Sequence, residues 1–211
     1  LASYCERLGV SFGQISAGLA SDSRIGPAYL KPGPGWGGSC FPKDTLALLM
    51  ASSENGLRLP ILEATLKSNL EMLNRTVARI RKLAGGSLSK KTIGIWGLAF
   101  KAGTDDVRES PAMFVVESLL KEGCLVRAFD PSAVAPIAFG FEQVQSAEDA
   151  AIGADVLAVL TEWPEFSSID PSKIAGLMRS SVVFDTRRIL PGRIWVKQVQ
   201  ELFVLGEGAV T

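Results

Sequence analysis

From Thr92 onward the chain alternates short apolar runs with helix-forming stretches, and this alternation restricts the possible folds more than any other feature. Thr92-Ile93-Gly94-Ile95-Trp96-Gly97, Leu125-Val126-Arg127-Ala128-Phe129, Val156-Leu157-Ala158-Val159-Leu160 and Val182-Val183-Phe184 read as strands. Ala112 to Lys121, Ala147 to Ile152 and Pro171 to Met178 read as the helices between them. Strands joined through helices run parallel, so the expected fold is α/β, a Rossmann-like parallel sheet with helices on both faces. Leu202-Phe203-Val204-Leu205 is expected to add an edge strand. Ligands of such sheets sit beyond the carboxyl ends of the strands. Lys101, Asp130, Thr161 and Asp185 to Arg187 all follow strands and are expected to face one crevice. The turn from Gly97 to Lys101 lacks the Gly-x-Gly-x-x-Gly pattern that seats a dinucleotide. A lysine and arginines suit instead a diphosphate gripped by side-chain charge.

The first 86 residues follow a helical period. Leu1 to Leu8 reads as the last turns of a helix closed by Gly9, and Ser11 with Gln14 has capping-box spacing before a short helix. Asp22 to Gly38 is loop, a helix starts at Pro42 and stops at Asn55-Gly56, and Pro60 opens a longer one. In that longer helix Leu66, Leu70, Leu73, Val77, Ile80 and Ala84 form a one-sided apolar stripe, suited either to the chain's own core or to a second subunit. Gly85-Gly86-Ser87 breaks the pattern and divides the chain into a helical unit, 1–86, and a sheet unit, 87–211.

Gly33-Pro34-Gly35-Trp36-Gly37-Gly38-Ser39-Cys40-Phe41-Pro42-Lys43-Asp44 places a lone cysteine between a glycine-rich loop and a helix start. Unpaired N–H groups at the helix end and Lys43 would favour the thiolate, the form that attacks carbon. Asp44, one turn on, is placed to order a water. Taken alone, Cys40 also fits a buried small hydrophobe. Trp36 is either a hydrophobic plug or a stacking surface.

Composition narrows the chemistry. Hydrophobic side chains make up 47% of the 211 residues, enough for a real core in two units. Lys plus Arg and Asp plus Glu number 22 each, so no net field draws the chain to nucleic acid or an acidic membrane. With no histidine, Ser-His-Asp and Cys-His catalysis are excluded within these residues. Cys5, Cys40 and Cys124 contain no Cys-x-x-Cys pair and fit a reducing, cytoplasmic setting better than a disulfide scaffold. No apolar run reaches the roughly 18 residues of a membrane helix.

The cysteine run, with its Gly-Gly-Ser-Cys-Phe-Pro-Lys-Asp core, resembles the active-site motif of the UDP-glucose/GDP-mannose dehydrogenase family, closest to its UDP-glucose-oxidising type. Gly97 to Pro111 is similar to a second motif of that family, as are Asp22-Ser23-Arg24-Ile25-Gly26, Phe129-Asp130-Pro131, Thr161-Glu162-Trp163 and Asp185-Thr186-Arg187. Family members begin with an NAD-binding Rossmann domain. This chain shows no such turn and starts without Met inside a helix, so it is expected to be a fragment, the end of the central dimerisation domain plus the UDP-sugar-binding domain. The family's catalytic Lys and Asn are expected upstream of Leu1.

The resemblance implies a role for each matching position. Cys40 is the nucleophile and Asp44 assists water. Gly37 and Phe41 lie at the substrate, and Gly37 and Cys40 also border the cofactor. Tyr29, Leu30 and Lys31 lie along the uridine and sugar, and Lys101 touches the UDP-sugar. Arg108 approaches the NAD pyrophosphate. Arg24 reaches the sugar nucleotide of a neighbouring subunit, which makes a composite site in a homodimer. Arg187 matches the family's Asp-x-Arg arginine, with Arg188 adjacent as the alternative. The implied activity is oxidation of the UDP-glucose C6 hydroxyl to a carboxylate with two NAD⁺. GDP-mannose or a UDP-amino-sugar is the alternative substrate, and an inactive dimeric nucleotide-sugar-binding module is the alternative for the chain by itself.

Overall fold

The computed structural model describes residues 1–135 and 140–210. Four helices come first: α1 (Ala2–Leu8), α2 (Phe12–Ala20), α3 (Phe41–Glu54) and α4 (Pro60–Leu83). The remainder alternates as β1 (Thr92–Trp96), α5 (Pro111–Lys121), β2 (Leu125–Phe129), β3 (Glu142–Gln143), α6 (Ala147–Ala151), β4 (Val156–Val159), α7 (Pro171–Leu177), β5 (Val182–Asp185), α8 (Gly192–Trp195), β6 (Glu201–Val204) and β7 (Gly208–Val210).

The strands form one sheet in the order β3-β2-β1-β4-β5-β6-β7. Pairing is parallel from β3 through β6, and β7 closes the edge antiparallel to β6. Every residue of β1, β4 and β5 is buried, which is why these strands are apolar apart from Thr92 and Asp185 at their ends. β6 lies inside the sheet, flanked by β5 and β7, and is not the edge expected from sequence. β1 sits between β2 and β4, so the connection leaving it goes one way and the next returns on the other side. This reversal of strand order opens a crevice beyond the carboxyl ends of β1 and β4.

Buried acid groups hold the loops around that crevice. Asp130, just past β2, accepts N–H bonds from Leu98 (2.7 Å) and Ala99 (3.0 Å) through Oδ2, and from Ser132 (2.9 Å) and Ala133 (2.8 Å) through Oδ1. The Trp163 indole donates to Oδ2 at 3.1 Å. Asp185 at the end of β5 likewise accepts from the Arg187, Arg188 and Leu190 amides at 2.7–2.9 Å. Thr161 donates to the Ala99 carbonyl at 2.7 Å. Asp130, Thr161 and Asp185 therefore turn inward to shape the loops, where the sequence suggested that they face the crevice.

The helical unit is tied to the sheet unit by paired polar groups. Glu6 accepts from the Gly206 amide (2.9 Å) and from Arg79 (2.7 Å), and the Phe12 amide donates to the Gly206 carbonyl (3.0 Å). Ser11 precedes α2 as expected, but its hydroxyl donates to Glu207 at 2.7 Å instead of capping the helix. The bond across the sheet junction takes the place of the capping box because the Glu207 carboxylate, a stronger acceptor for the hydroxyl, lies within reach. In α4, Leu73, Val77, Ile80 and Ala84 are buried, the last three within the same core as the sheet. Leu66 is half-buried and Leu70 is exposed, so the stripe is covered only along its second half.

Asp130→Ala removes the acceptor for five donors at once, and unpaired buried polar groups cost about 1–3 kcal/mol each. Urea unfolding is expected to show a loss of at least about 3 kcal/mol. Asp130→Asn, which keeps one acceptor oxygen, should fall between that variant and the parent.

Candidate active site

Cys40 is the N-cap residue of α3, exposed, with Phe41 and Pro42 forming the first two helical positions. No side chain caps this helix. The loop leading to it is held from several sides. Asn69 of α4 accepts the Trp36 N–H through Oδ1 at 2.9 Å and donates from Nδ2 to the Trp36 carbonyl at 3.0 Å. A side-chain carbon on Gly37 would fall 1.9 Å from the Glu109 carbonyl oxygen, so that position admits no other residue without moving the backbone. The Gly38 N–H donates to the same carbonyl at 3.3 Å, and a Cβ there would meet the Phe100 ring at 2.9 Å. Trp36 packs edge-on against Phe41, ring centroids 4.8 Å apart, and acts as a plug between the two ends of the loop.

This docking seats the cysteine loop on the segment after β1, at the strand-order reversal. Arg108 is gripped by Asp106, Nε to Oδ1 at 2.9 Å and Nη2 to Oδ2 at 2.8 Å. The Arg108 guanidinium, chiefly, holds the Asp106 carboxyl down to about 2, and the Ser39 hydroxyl adds to this. Asp106 in turn raises the Arg108 pKa, with a smaller contribution from the Cys40 sulfur. Ser39 Oγ lies 3.7 Å from Cys40 Sγ. Lys101 Nζ sits 5.4 Å from the centroid of the Phe100 ring that covers Gly38. Cys40, Gly37, Arg108 and the Phe100-Lys101 pair are thus brought to one place by the fold. Lys43, expected to favour the thiolate, pairs with Asp44 at 3.1 Å, both side chains about two-thirds exposed. Neighbours in the first helical turn, these opposite charges meet each other more readily than either meets the sulfur.

The other predicted positions are distributed around this centre. Arg187 lies beneath Gly33, its side chain 15% exposed, donating to the Leu160 carbonyl at 2.7 Å and facing Glu162 at 3.3 Å. Burial pushes the Arg187 guanidinium down and the Asp185 carboxyl up, opposed in the first by Glu162 and in the second by backbone N–H groups. Arg188 is held by Glu207 (2.5 Å) and the Leu205 carbonyl (3.2 Å), across the junction with α2. Arg24 pairs with Asp22 in solvent. Tyr29 has a left-handed backbone (φ 62°) and a fully exposed ring. Tyr29, Leu30 and Lys31 line a separate cavity of about 480 Å³ against Met72 and Arg75 of α4, and its lining includes neither Cys40 nor Lys101.

Asn69 and Asp106 escaped the sequence reading. Asn69 sits among polar residues of an amphipathic helix and gives no local signal. The sequence offered Glu109 as an ion-pair partner of Arg108, but that pair is made by Asp106, two residues before it, and Glu109 acts through its carbonyl. Among the described residues no cluster of acidic, cysteine or histidine side chains is arranged to hold a metal. No described helix is long and apolar enough to cross a membrane.

Cys5 and Cys124 are buried, and burial pushes the Cys124 thiol up to about 11. Iodoacetamide at pH 8 is expected to alkylate Cys40 in the folded protein and leave Cys124 unmodified, as peptide mass mapping would show. Acid titration followed by carboxyl carbon NMR should find the Asp106 midpoint near 2. The Asp106–Arg108 pair, present above the ordinary carboxylate range, is therefore retained through pH 4 and lost as pH falls through about 2. Arg108→Ala should return that midpoint to the ordinary range.

Comparison with known proteins gives the family. Residues 1–71 match the central domain of the UDP-glucose/GDP-mannose dehydrogenase family and residues 94–192 its UDP binding domain. UDP-glucose 6-dehydrogenase of Rickettsia bellii is 40% identical over 195 residues, covering 90% of this chain and 45% of the relative. A UDP-glucose dehydrogenase structure from Pyrobaculum islandicum superposes with a TM-score of 0.82 at 30% identity, over 97% of this chain and 46% of that one. A UDP-D-ManNAc dehydrogenase structure from Pyrococcus horikoshii gives 0.81 at 27%, over 99% and 47%. The chain thus spans less than half the length of each of these relatives. With both family domains matched in order along the same fold, the chain belongs to the UDP-glucose/GDP-mannose dehydrogenase family.

Proposed function

We propose that this chain is part of an NAD-dependent nucleotide-sugar 6-dehydrogenase whose substrate is UDP-glucose. The observation that carries the reading is the exposed Cys40 thiol at a helix N-cap, docked through Gly37 and Gly38 onto the turn beyond β1. The 40% identical Rickettsia bellii relative, a UDP-glucose 6-dehydrogenase by name, favours that substrate. The UDP-D-ManNAc dehydrogenase from Pyrococcus horikoshii keeps an amino-sugar as the second reading, because the fold is equally similar.

The sheet itself does not fit a dinucleotide at its first turn. The Leu98 and Ala99 amides, which would face a pyrophosphate, are already taken by Asp130. What this chain offers the cofactor is the Arg108 side chain, oriented by Asp106 beside the thiol. A dinucleotide bound there would supply one hydride acceptor, so the four-electron oxidation would use two NAD⁺ molecules in succession.

On this reading the C6 alcohol first becomes an aldehyde, giving up a hydride and a proton. The Cys40 sulfur adds to the aldehyde carbon, because a free aldehyde has no readily released hydride whereas the tetrahedral adduct does. Loss of the second hydride leaves a thioester on Cys40. Water, ordered by the exposed Asp44 carboxylate, attacks that carbon, the carbon–sulfur bond breaks, and the carboxylate product leaves with the thiol restored. Lys101 and Arg187 hold the diphosphate and uridine, so binding energy remote from C6 places it at the sulfur. Arg187 is preferred over Arg188 because it lies against Gly33 of the cysteine loop, whereas Arg188 faces Glu207 and the Leu205 carbonyl at the junction with α2. Tyr29, Leu30 and Lys31 line the sugar-nucleotide path, and the strained backbone at Tyr29 supports a functional segment there.

The exposed apolar side chains Leu46, Leu48, Met50, Leu57, Ile61 and Leu70 on α3, α4 and the turn between them support a homodimer built on the helical unit. In that dimer Arg24 completes the partner's site. The lone-cysteine chemistry also favours a reducing compartment, the cytoplasm.

Cys40→Ser in the full-length enzyme is expected to lower net UDP-glucuronate formation by more than 10³-fold, with UDP-glucose affinity retained, by steady-state kinetics and calorimetry. Unchanged product formation would refute the nucleophile. Calorimetry should also show UDP-glucose binding ahead of UDP-N-acetylmannosamine and GDP-mannose. The reverse order would move the substrate to the alternative class.

A further inference from the structure

Asn69 lies on α4, and its amide meets both backbone polar atoms of one residue in the cysteine loop. Oδ1 accepts the Trp36 N–H at 2.9 Å and Nδ2 donates to the Trp36 carbonyl at 3.0 Å. Two antiparallel bonds to the same residue imitate one rung of a strand ladder, and they fix the peptide planes on either side of Trp36 together. A single bond would leave the loop free to pivot. The next two residues are Gly37 and Gly38, which have little stiffness of their own, and then Ser39 and Cys40. The direction in which the chain leaves Trp36 therefore determines whether Gly37 arrives at the Glu109 carbonyl and where the sulfur stands.

The contacts around this clamp are built to the same register. A Cβ on Gly35 would lie 2.9 Å from Asn69 Oδ1, so the loop passes as close to the amide as a backbone can. The Trp36 ring, once its backbone is fixed, closes edge-on against Phe41 on the far side of the cysteine. α4 is itself anchored in the sheet core by Val77, Ile80 and Ala84. A rigid line thus runs from the core through α4 and Asn69 to the loop that carries the thiol.

We infer that Asn69 is a positioning residue for Cys40, setting the sulfur against the sugar C6 by clamping Trp36, without itself touching substrate. This rests on Cys40 being the nucleophile. A displacement of about 1 Å at a reacting atom can cost on the order of 10² in rate. Asn69→Ala in the full-length enzyme should therefore lower kcat on the order of 10²-fold while KM for the nucleotide sugar changes by less than about threefold.

Asn69→Asp supplies the readout that a purely structural role would not move. Its ionised carboxylate still accepts from the Trp36 N–H but repels the Trp36 carbonyl. Once protonated it donates there again and regains the shape of the asparagine. The activity of Asn69→Asp relative to the parent should rise as pH falls from 8 toward 5, whereas that of Asn69→Ala should stay flat across the same range. Hydrogen exchange of the Trp36 amide, measured in parallel, should show protection in the parent and loss of it in Asn69→Ala, whatever the chemistry at Cys40.

A folded Asn69→Ala enzyme with kcat within twofold of the parent overturns the proposal, as does a raised KM with kcat unchanged. If Asn69→Ala does not fold, the pH profile of Asn69→Asp decides, and a flat ratio overturns the proposal. Lost Trp36 protection and lowered kcat alongside a fully active Cys40→Ser would place the failure in the nucleophile assignment, leaving the clamp intact.

Discussion

The approach of Gly37 to the Glu109 carbonyl oxygen is the contact on which the site depends. There is no space for even one carbon between them, and Gly38 donates to the same oxygen. The helical unit supplies the cysteine loop and the sheet unit supplies the carbonyl, so this contact joins the two at the point where the thiol is presented. Glu109 itself has a left-handed backbone (φ 49°), a conformation that turns its carbonyl toward the loop and costs a non-glycine residue energy. The strain is compensated by the packing around it. Ser110 caps α5 by accepting the Ala112 N–H at 3.2 Å and donates to the Leu98 carbonyl at 2.7 Å, which fixes the turn from below.

A second layer of order comes from buried carboxylates. Asp130 draws together the Gly97-to-Lys101 turn, its own Asp-Pro-Ser turn and Trp163, three segments far apart in sequence. Asp185 does the same for the two arginines that follow it. The motif residues nearest the crevice thus divide into two kinds. Acidic ones fold inward as frame, and the basic ones that follow, Lys101, Arg108 and Arg187, are the groups the frame delivers. This division explains why the first turn of the sheet is occupied: its amides serve the fold where those of a dinucleotide-binding turn would serve a phosphate.

The parallel sheet was legible because strands buried on both faces are apolar along almost their whole length, and β1, β4 and β5 are, save Thr92 and Asp185 at strand ends. β3, two polar residues paired through their backbone, carries no such signal, and β7 is a three-residue antiparallel return. The position of β6 inside the sheet depends on that return and is invisible in its own residues. Helix starts at Pro60 and Pro171 were readable from proline geometry, and the one expected at Pro42 falls a residue earlier, at Phe41. Ser11 was misread because a hydroxyl takes the stronger acceptor within reach, and Glu207, 196 residues away, is a carboxylate. Of the site, Cys40 and its glycines could be found in sequence, since nucleophile chemistry and close backbone approach each demand particular residue types. Asn69 could not, because an asparagine on a helix surface looks alike whether it faces water or a backbone 33 residues away.

Covalent capture of the sugar is the claim to which all of this leads. The most direct measurement is rapid acid quench of the full-length enzyme turning over UDP-glucose with NAD⁺, followed by peptide mass spectrometry. The account predicts a sugar-nucleotide adduct whose mass corresponds to a thioester or thiohemiacetal, mapped to the peptide containing Cys40. Product formed at the normal rate with no adduct at any quench time, or with the adduct on a different residue, would contradict it.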